Sequence, residues 1–288
     1  MDFTLTTYKT LLNALQTQGY TFITFHDYLA QTRNSQPETR FILLRHDVDL
    51  LPQNSLATAK MEHELGIKGS YYFRMVPESY DIGIIRLIAE MGHEVGYHYE
   101  TMDTVKESFE FRVSSLKQNN SDELIDAAYQ QFCENLEEFR QVADVTTICM
   151  HGSPRSKYDN RDIWTKYNYK ELGLIGEPYF DINFDDFFYL TDTGRRWDGY
   201  RVSVRDKMPQ QERWTREGLT FRSTKDIIKA ANEKRLPNRI MITVHPQRWS
   251  DSFFSWTKEL VVQNLKNIVK RVIVRKLKTN NEKLTTKN

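Results

Sequence analysis

The sequence has few cysteines, few glycines and prolines, and no long apolar run, and each shortage excludes a class of protein. Among its 288 residues only Cys133 and Cys149 are cysteines, the first in a helical pattern and the second in an apolar strand. Buried free thiols explain them better than a disulfide framework or a cysteine-based zinc cluster. Glycine and proline number 12 and 8, which excludes a collagen-like or disordered chain.

Charge and hydropathy exclude two kinds of partner. The chain has 40 basic and 39 acidic residues, and no basic stripe interleaved with aromatic residues runs through its body, so nucleic acid is not an expected partner. No apolar run reaches the ~18 residues of a membrane span, and the first residues lack a positively charged region followed by an apolar one. We therefore expect a cytoplasmic protein.

The last residues form a basic segment. From Lys266 to Asn288 the sequence contains eight Lys or Arg and one Glu. We interpret this segment as a solvated helix end with a basic tail at residues 279–288. A weak peripheral contact with an anionic membrane surface is the alternative.

Strand-like and helix-like patterns alternate along the chain. Apolar runs that end in polar residues, such as FILLRHDVD, HEVGYHY, TTICMHG and RIMITVHP, are typical of buried parallel strands. Amphipathic stretches separate them, as the crossovers between parallel strands require. The sequence predicts a single α/β domain over residues 1–288, either a β/α barrel or a doubly wound sheet. Functional side chains are then expected at the carboxyl ends of the strands.

The middle section, residues 154–222, is less regular, with LGLIGEPYFDI and DFFYLTDT predicted as short strands, and Ser223 is placed to cap the helix that follows. Within this section, residues 178–222 do not follow the alternation clearly. They are dense in Tyr, Phe, Trp and Asp, a composition that suits a sugar site, where rings stack and carboxylates bind hydroxyl groups. The alternative is an inserted hairpin that packs on the domain. We mark this segment as an aromatic and acidic insertion.

Two carboxylates follow the first long apolar run. Asp47 and Asp49 in RHDVD are two residues apart, so both side chains point to the same side of a strand. Two neighbouring anions repel each other, and a cation bound by one of them, with the other kept as a base, resolves this. A helix N-cap or a turn is the structural alternative.

Histidines occupy the ends of three later strands. His98 and Glu100 share one strand face in GHEVGYHYE, whereas His93, at the start of that strand, is expected to be structural. His151 ends TTICM, where it can bind metal or substrate or hydrogen-bond the loop. His245 ends RIMITV and suits proton donation to a leaving amine, with a structural role as its alternative.

In this order, RHDVD, GHEVGYH and an apolar strand ending in His-Pro resemble the polysaccharide deacetylase superfamily, also called carbohydrate esterase family four, over residues 40–248. The resemblance implies a distorted (β/α)7-type barrel and metal-assisted removal of an acetyl group from an N-acetylated sugar. It also implies that Asp47 is the general base, Asp49 a metal ligand and His245 the general acid. The expected cofactor is a divalent metal ion such as zinc.

The metal-binding part of the family pattern is incomplete. The family usually has a second histidine four residues after the position of His98, and this sequence has Met102 there. We predict that Asp49 and His98 bind the metal and that His151 completes the three protein ligands of a catalytic site. Glu100 is the alternative third ligand.

The arginine-proline motif that cradles the base in the family is also missing. HGSPRS lies near its expected place, where Arg155 is a loose substitute for the arginine. We predict that Arg155 and Glu100 contact the substrate.

Together these residues predict a hydrolase that cleaves a linear amide, the N-acetyl group of a small-molecule or oligosaccharide substrate. A carbohydrate-binding protein with the same fold but no turnover is one alternative, motivated by Met102 and the missing arginine motif. A metal-free glycosidase that uses Asp47 with Asp49 or Glu100 is the other. Detection of a bound metal ion would favour the hydrolase over both alternatives.

Overall fold

A computed structural model describes residues 1–34, 40–105, 121–152, 158–199 and 208–268. Its strands form one seven-stranded sheet in which every described pairing is parallel. In chain order the strands are β1 Thr21–Ile23, β2 Phe41–Val48, β3 Ser70–Phe73, β4 Glu94–Tyr99, β5 Ile148–Met150, β6 Phe188–Thr191 and β7 Arg239–Val244.

Helices connect these strands, as parallel pairing requires. They are α1 Leu5–Thr17, α2 Phe25–Asn34, α3 Pro52–Glu64, α4 Ile82–Glu90, α5 Ser121–Arg140, α6 Pro178–Asp181, α7 Gln211–Arg216 and α8 Thr224–Asn232. Further helical runs at 101–105 and 253–268 border segments outside the described residues. Ser223 caps α8 with a capping box, as the sequence predicts.

Strand β2 is the centre of the sheet. It pairs with β7 along one edge, and along the other with β1 at its first half and β3 at its second half. The full order is β5-β4-β3-β2-β7-β6, with β1 beside β2. All of β2 is buried, as expected for a strand covered on both faces. The sheet is a curled parallel half-barrel in one α/β domain, so the predicted fold class is confirmed.

Two large apolar clusters hold the helices on the sheet. In the first, Leu11 and Leu15 of α1 join Ile42 of β2. In the second, Phe132 of α5 joins Tyr97 of β4. All five side chains are at most 1% exposed, and complete burial of a side chain of this size contributes roughly 1.5–3 kcal/mol.

The stretch LGLIGEPYFDI, which the sequence predicts as a strand, begins a helix instead. Pro178 lies in the first turn of α6, where its missing N–H has no cost. The carboxylate of Glu177 caps this helix by accepting a hydrogen bond from Tyr179 N–H. A β-bridge between Gly176 and Thr147 joins this stretch to the segment before β5, and Glu177 also accepts a hydrogen bond from Met150 N–H of β5.

The aromatic segment 178–222 is partly built into the sheet. Strand β6 lies inside it and pairs with β7, so this part of the segment belongs to the domain core. Residues 200–207 of the segment and the basic tail at 279–288 lie outside the described residues. No helix in the described part of the chain is long and apolar enough to cross a membrane.

Candidate active site

The carboxyl ends of four strands bring together the side chains that the sequence singles out. Asp47 and Asp49 lie at the end of β2, His98 near the end of β4, His151 directly after β5 and His245 directly after β7. A cleft of about 530 Å³ is at the opposite edge, where β6 and β7 begin. The predicted site residues therefore lie at the carboxyl ends of the strands, as expected for parallel α/β folds.

Asp47 is held by an arginine on its own strand. The guanidinium of Arg45 donates from Nε to Asp47 Oδ1 and from a terminal nitrogen to Oδ2, both at 2.7 Å. Both residues are about 5% exposed or less. Burial acts to raise the pKa of Asp47, but the charges of Arg45 and His98 hold it well below its ordinary value. Asp47 is thus ionised near neutral pH.

Three potential metal-ligand atoms converge on one point. Oδ1 of Asp49 lies 3.7 Å from Nε2 of His98 and 3.7 Å from Nε2 of His151. Ligand atoms 2.0–2.1 Å from a tetrahedral zinc ion are separated by about 3.4 Å. The spacing of Asp49, His98 and His151 therefore fits a divalent ion, and the three form a candidate metal-binding group.

Asp49 itself gives a second reason to expect a cation. Its Oδ1 is buried, and no hydrogen-bond donor of the described residues reaches it. Burial acts to raise the pKa of Asp49, but the nearby imidazoles, that of His245 first, hold it below its ordinary value. A buried, ionised and unpartnered oxygen is costly unless a cation neutralises it.

The two histidines present the correct ring nitrogen. Nδ1 of His98 lies 2.9 Å from the backbone oxygen of Cys149, so it carries the proton and leaves Nε2 facing Asp49. Burial lowers the pKa of His98 to about 4, which keeps the ring neutral as metal binding requires. Nδ1 of His151 lies 2.9 Å from Oε2 of Glu100, and its Nε2 faces Asp49.

A second group of potential ligands fits a cation less well. Asp47, His98 and Cys149 also lie close together. However, Arg45 already neutralises Asp47, and burial raises the pKa of the Cys149 thiol well above its ordinary value. Since only a thiolate is a good metal ligand, this group is the weaker candidate.

His245 is oriented by a buried carboxylate. Its Nδ1 lies 2.6 Å from Oδ1 of Asp192, which is 0% exposed and lies just after β6. Arg248 and the indole N–H of Trp249 donate to the same carboxylate. The other ring nitrogen, Nε2, lies 4.0 Å from Oδ2 of Asp49. His245 is therefore fixed with one nitrogen toward the metal-ligand group and can hold a proton there.

The remaining predicted residues divide into three groups. Met102 is buried in an apolar cluster, and His93, just before β4, has Nε2 3.0 Å from the backbone oxygen of Ala59. Glu100 is 7% exposed, and both of its oxygens contact Arg74, so little of it is open to a substrate. Arg155 lies outside the described residues.

Further residues of the site do not appear among the predicted ones. Arg45 could have been found by strand parity, since it shares a face with Asp47. Asp192 lies at the end of DFFYLTDT, which the sequence predicts as a short strand, and the other rim residues likewise lie at strand ends. Gln247 and Arg248 lie within three residues of His245, and Gln247 donates to Asp49 Oδ2 at 3.1 Å.

Comparison with known proteins gives remote likenesses. No family model and no curated protein matches the sequence. A CE4 family pseudoenzyme from Bacillus anthracis is 12% identical with a TM-score of 0.39, over 82% of this chain and 63% of that one. A mutant pseudoenzyme of the CE4 family with restored enzymatic activity is 13% identical with a TM-score of 0.39, over 82% and 65%. The chain spans less than two thirds of these structures, and so remote a likeness assigns no activity.

Proposed function

We propose that this protein is a metal-dependent hydrolase that cleaves a linear amide, the N-acetyl group of an amino sugar. The main support for this proposal is that three potential ligand atoms lie close together: Asp49 Oδ1, His98 Nε2 and His151 Nε2. Three protein ligands with an open fourth position are the usual arrangement of a catalytic zinc site. A bound ion of this kind would polarise the substrate carbonyl and increase the acidity of water.

The residues around the metal-ligand group fit the two proton transfers of amide hydrolysis. Oδ2 of Asp47 lies 3.9 Å from His98 Nε2, and this carboxylate accepts the proton that water loses as its oxygen attacks the acyl carbon. Nε2 of His245 gives a proton to the amine nitrogen as the carbon–nitrogen bond breaks. The products are a carboxylic acid and an amine. Asp192 keeps the imidazole of His245 in the orientation for this transfer.

An aromatic residue beside the site supports a sugar as substrate. The ring of Tyr179 lies 6.0 Å from the guanidinium of Arg45, and the residue is 37% exposed. Neighbouring Phe180 is 50% exposed. Flat apolar faces with polar groups nearby are typical of pockets that bind ring-shaped ligands.

A metal-free glycosidase is less consistent with these electrostatics. Such an enzyme needs one carboxylic acid whose pKa is raised, so that it can donate a proton near neutral pH. Burial acts to raise the pKa of Asp47, Asp49 and Glu100, but neighbouring positive charges and hydrogen-bond donors hold all three below their ordinary values. None of the three candidates is suited to the role of the acid.

A carbohydrate-binding protein without turnover is the second candidate. The observation that favours it is the pairing of both Asp47 oxygens with Arg45. A carboxylate whose pKa is held far below its ordinary value accepts a proton poorly. Unlike the metal-free binding protein expected from the sequence, this candidate keeps the metal-ligand group, so it would bind metal as well as sugar but release no amine.

The test combines metal binding with product detection. Zinc binding to the purified chain is measured by calorimetry for wild type, Asp49→Ala, His98→Ala and Met102→Leu, the last as control. The zinc-loaded forms are then assayed for amine release from N-acetylated mono- and oligosaccharides, with His245→Ala as the acid variant. We expect one zinc per chain in wild type and Met102→Leu, loss in the two ligand variants, and amine release that needs His245.

The outcomes separate the candidates. Zinc binding together with sugar binding but no amine release would identify the binding protein. Glycosidic cleavage that survives chelation would identify the glycosidase. Wild-type protein that binds no zinc would contradict the hydrolase.

A further inference from the structure

Arg74 makes an unusual set of contacts at the carboxyl rim. It follows β3 directly, and its side chain is 21% exposed. Nε and one terminal nitrogen donate to the two oxygens of Glu100 at 2.8 and 2.9 Å. The other terminal nitrogen donates to the backbone oxygen of Asp49 at 3.0 Å. The guanidinium of Arg74 therefore joins the backbone of Asp49, a candidate ligand, to the nearly buried carboxylate of Glu100.

That carboxylate in turn faces a second candidate ligand. Oε2 of Glu100, which accepts from Arg74, lies 2.9 Å from Nδ1 of His151. The contact is close but not aligned as a hydrogen bond. Arg74 is thus connected to Asp49 directly and to His151 through Glu100.

The sheet order explains why such a connection is needed. Asp49 follows β2 and His151 follows β5, and β3 and β4 separate these two strands. Among the described strands no ladder hydrogen bond joins β2 to β5, so strand pairing alone does not set the spacing of the two ligands. Arg74 comes from the end of β3 and Glu100 from the end of β4. Their side chains therefore connect the end of β2 to the end of β5 across the two strands between them.

We propose that Arg74 is a positioning residue that sets the spacing between Asp49 and His151 in the metal site. The inference rests on the proposed function, since it needs these residues to bind a metal. The guanidinium suits the role because its fork is rigid and binds a carboxylate with two parallel hydrogen bonds. Lysine keeps the charge but not this geometry.

The chain offers a matched control for a merely structural arginine. Arg196 holds Asp198 through two hydrogen bonds of 2.7 and 2.9 Å, and its side chain is also 21% exposed. Neither residue belongs to the candidate metal-ligand groups. Arg196→Met removes an equivalent ion pair elsewhere in the same domain.

The experiment compares metal affinity and metal geometry in wild type, Arg74→Met, Arg74→Lys and Arg196→Met. Zinc affinity is measured by competition with a chromogenic chelator, and geometry by the visible absorption of the cobalt(II)-loaded protein. We expect the zinc Kd of Arg74→Met to rise roughly 10–100-fold, as for other residues that support a metal ligand. The cobalt spectrum should change in both Arg74 variants, and Arg196→Met should match wild type in both measurements.

Each outcome decides one question. If wild type binds no zinc, the proposed function fails. If wild type binds zinc through Asp49 and His151 but both Arg74 variants keep wild-type affinity and an unchanged cobalt spectrum, the positioning role is overturned and the function stands. Circular dichroism of the metal-free proteins checks the fold. If Arg74→Met does not fold, Arg74→Lys and Glu100→Gln decide the question by the same two measurements.

Discussion

Arg45 and Asp47, two residues apart on the central strand, form a bidentate ion pair with both hydrogen bonds at 2.7 Å. Because side chains two apart on a strand share a face, the sequence RHD places the guanidinium beside the carboxylate without any help from a loop. Oδ2 of Asp47 lies 3.9 Å from Nε2 of His98, and the pair is almost completely buried. Loss of either residue therefore leaves the other charge buried without its partner.

The first prediction concerns the stability of this pair. Arg45→Met leaves a buried carboxylate without a counter-charge, so the free energy of unfolding should fall by roughly 3–5 kcal/mol. The double variant Arg45→Met with Asp47→Leu removes both charges and should recover part of the loss. Urea denaturation of the single and double variants measures the coupling. A double variant no more stable than Arg45→Met would contradict a buried ion pair.

The second prediction concerns the orientation of His245. Asp192→Asn replaces the carboxylate that accepts from Nδ1, so the imidazole loses its fixed proton position. We expect kcat for amide hydrolysis to fall by roughly 10²–10⁴-fold, the usual contribution of an acid or base, while KM changes little. Nitrogen NMR of the His245 ring should show a changed tautomer without any substrate. Asp198→Asn, another buried aspartate, is the control, and an unchanged His245 ring in Asp192→Asn would refute the role.

The pattern of apolar runs predicted the sheet well because buried parallel strands leave a clear signature. FILLRHDV and RIMITV are continuous and apolar, and they form the central pair β2 and β7. LGLIGEPYFDI was harder because a short apolar run does not distinguish a strand from a loop. There the prediction of a strand was wrong, since Pro178 and the capping carboxylate of Glu177 favour a helix start.

Residues of the candidate site were predictable where position along a strand determined them. The structure brings Asp49, His98 and His151 together as the ends of β2, β4 and β5, although their roles stay predictions. Residues that act through a partner were missed. The contacts of Arg74 depend on the order of the strands in the sheet, and no local sequence pattern contains that order.

A separate buried network lies on the other face of β2. The carboxylate of Glu62 accepts hydrogen bonds from Tyr8 at 2.6 Å and Tyr71 at 2.9 Å, and lies 2.8 Å from Nε2 of His46. All four residues are 0% exposed. The network joins α1, α3, β2 and β3, and we assign it to stability rather than to the chemistry of the rim.

The third prediction follows from this network. Glu62→Met removes the carboxylate that three buried polar groups share, while Tyr8 keeps its contact with His46, and Tyr71 keeps its hydrogen bond to Thr58. The free energy of unfolding should therefore fall by about 1–3 kcal/mol. Zinc affinity, measured where the variant is fully folded, should equal that of wild type. Glu62→Gln keeps the shape and should lose less stability. A zinc affinity lowered as far as in Asp49→Ala would place the network in the metal site instead.

The fourth prediction concerns pH and Glu177. This side chain is 0% exposed, and its carboxylate accepts hydrogen bonds from the backbone N–H groups of Met150 and Tyr179. Burial raises the pKa of Glu177 to about 7, so the folded chain binds the proton more tightly than the unfolded chain. The stability from this group is complete below its unfolded pKa and is lost as the pH rises through about 7.

Glu177→Gln is neutral at every pH and removes this dependence. From pH 5 to pH 8, the stability of wild type relative to Glu177→Gln should therefore fall, by up to about 3 kcal/mol. Urea denaturation of both proteins across this range measures the difference. Glu212 is exposed, and Glu212→Gln should differ from wild type equally at both ends of the range. A constant difference for Glu177→Gln would mean that Glu177 remains ionised in the folded protein, with its two backbone donors outweighing the effect of burial.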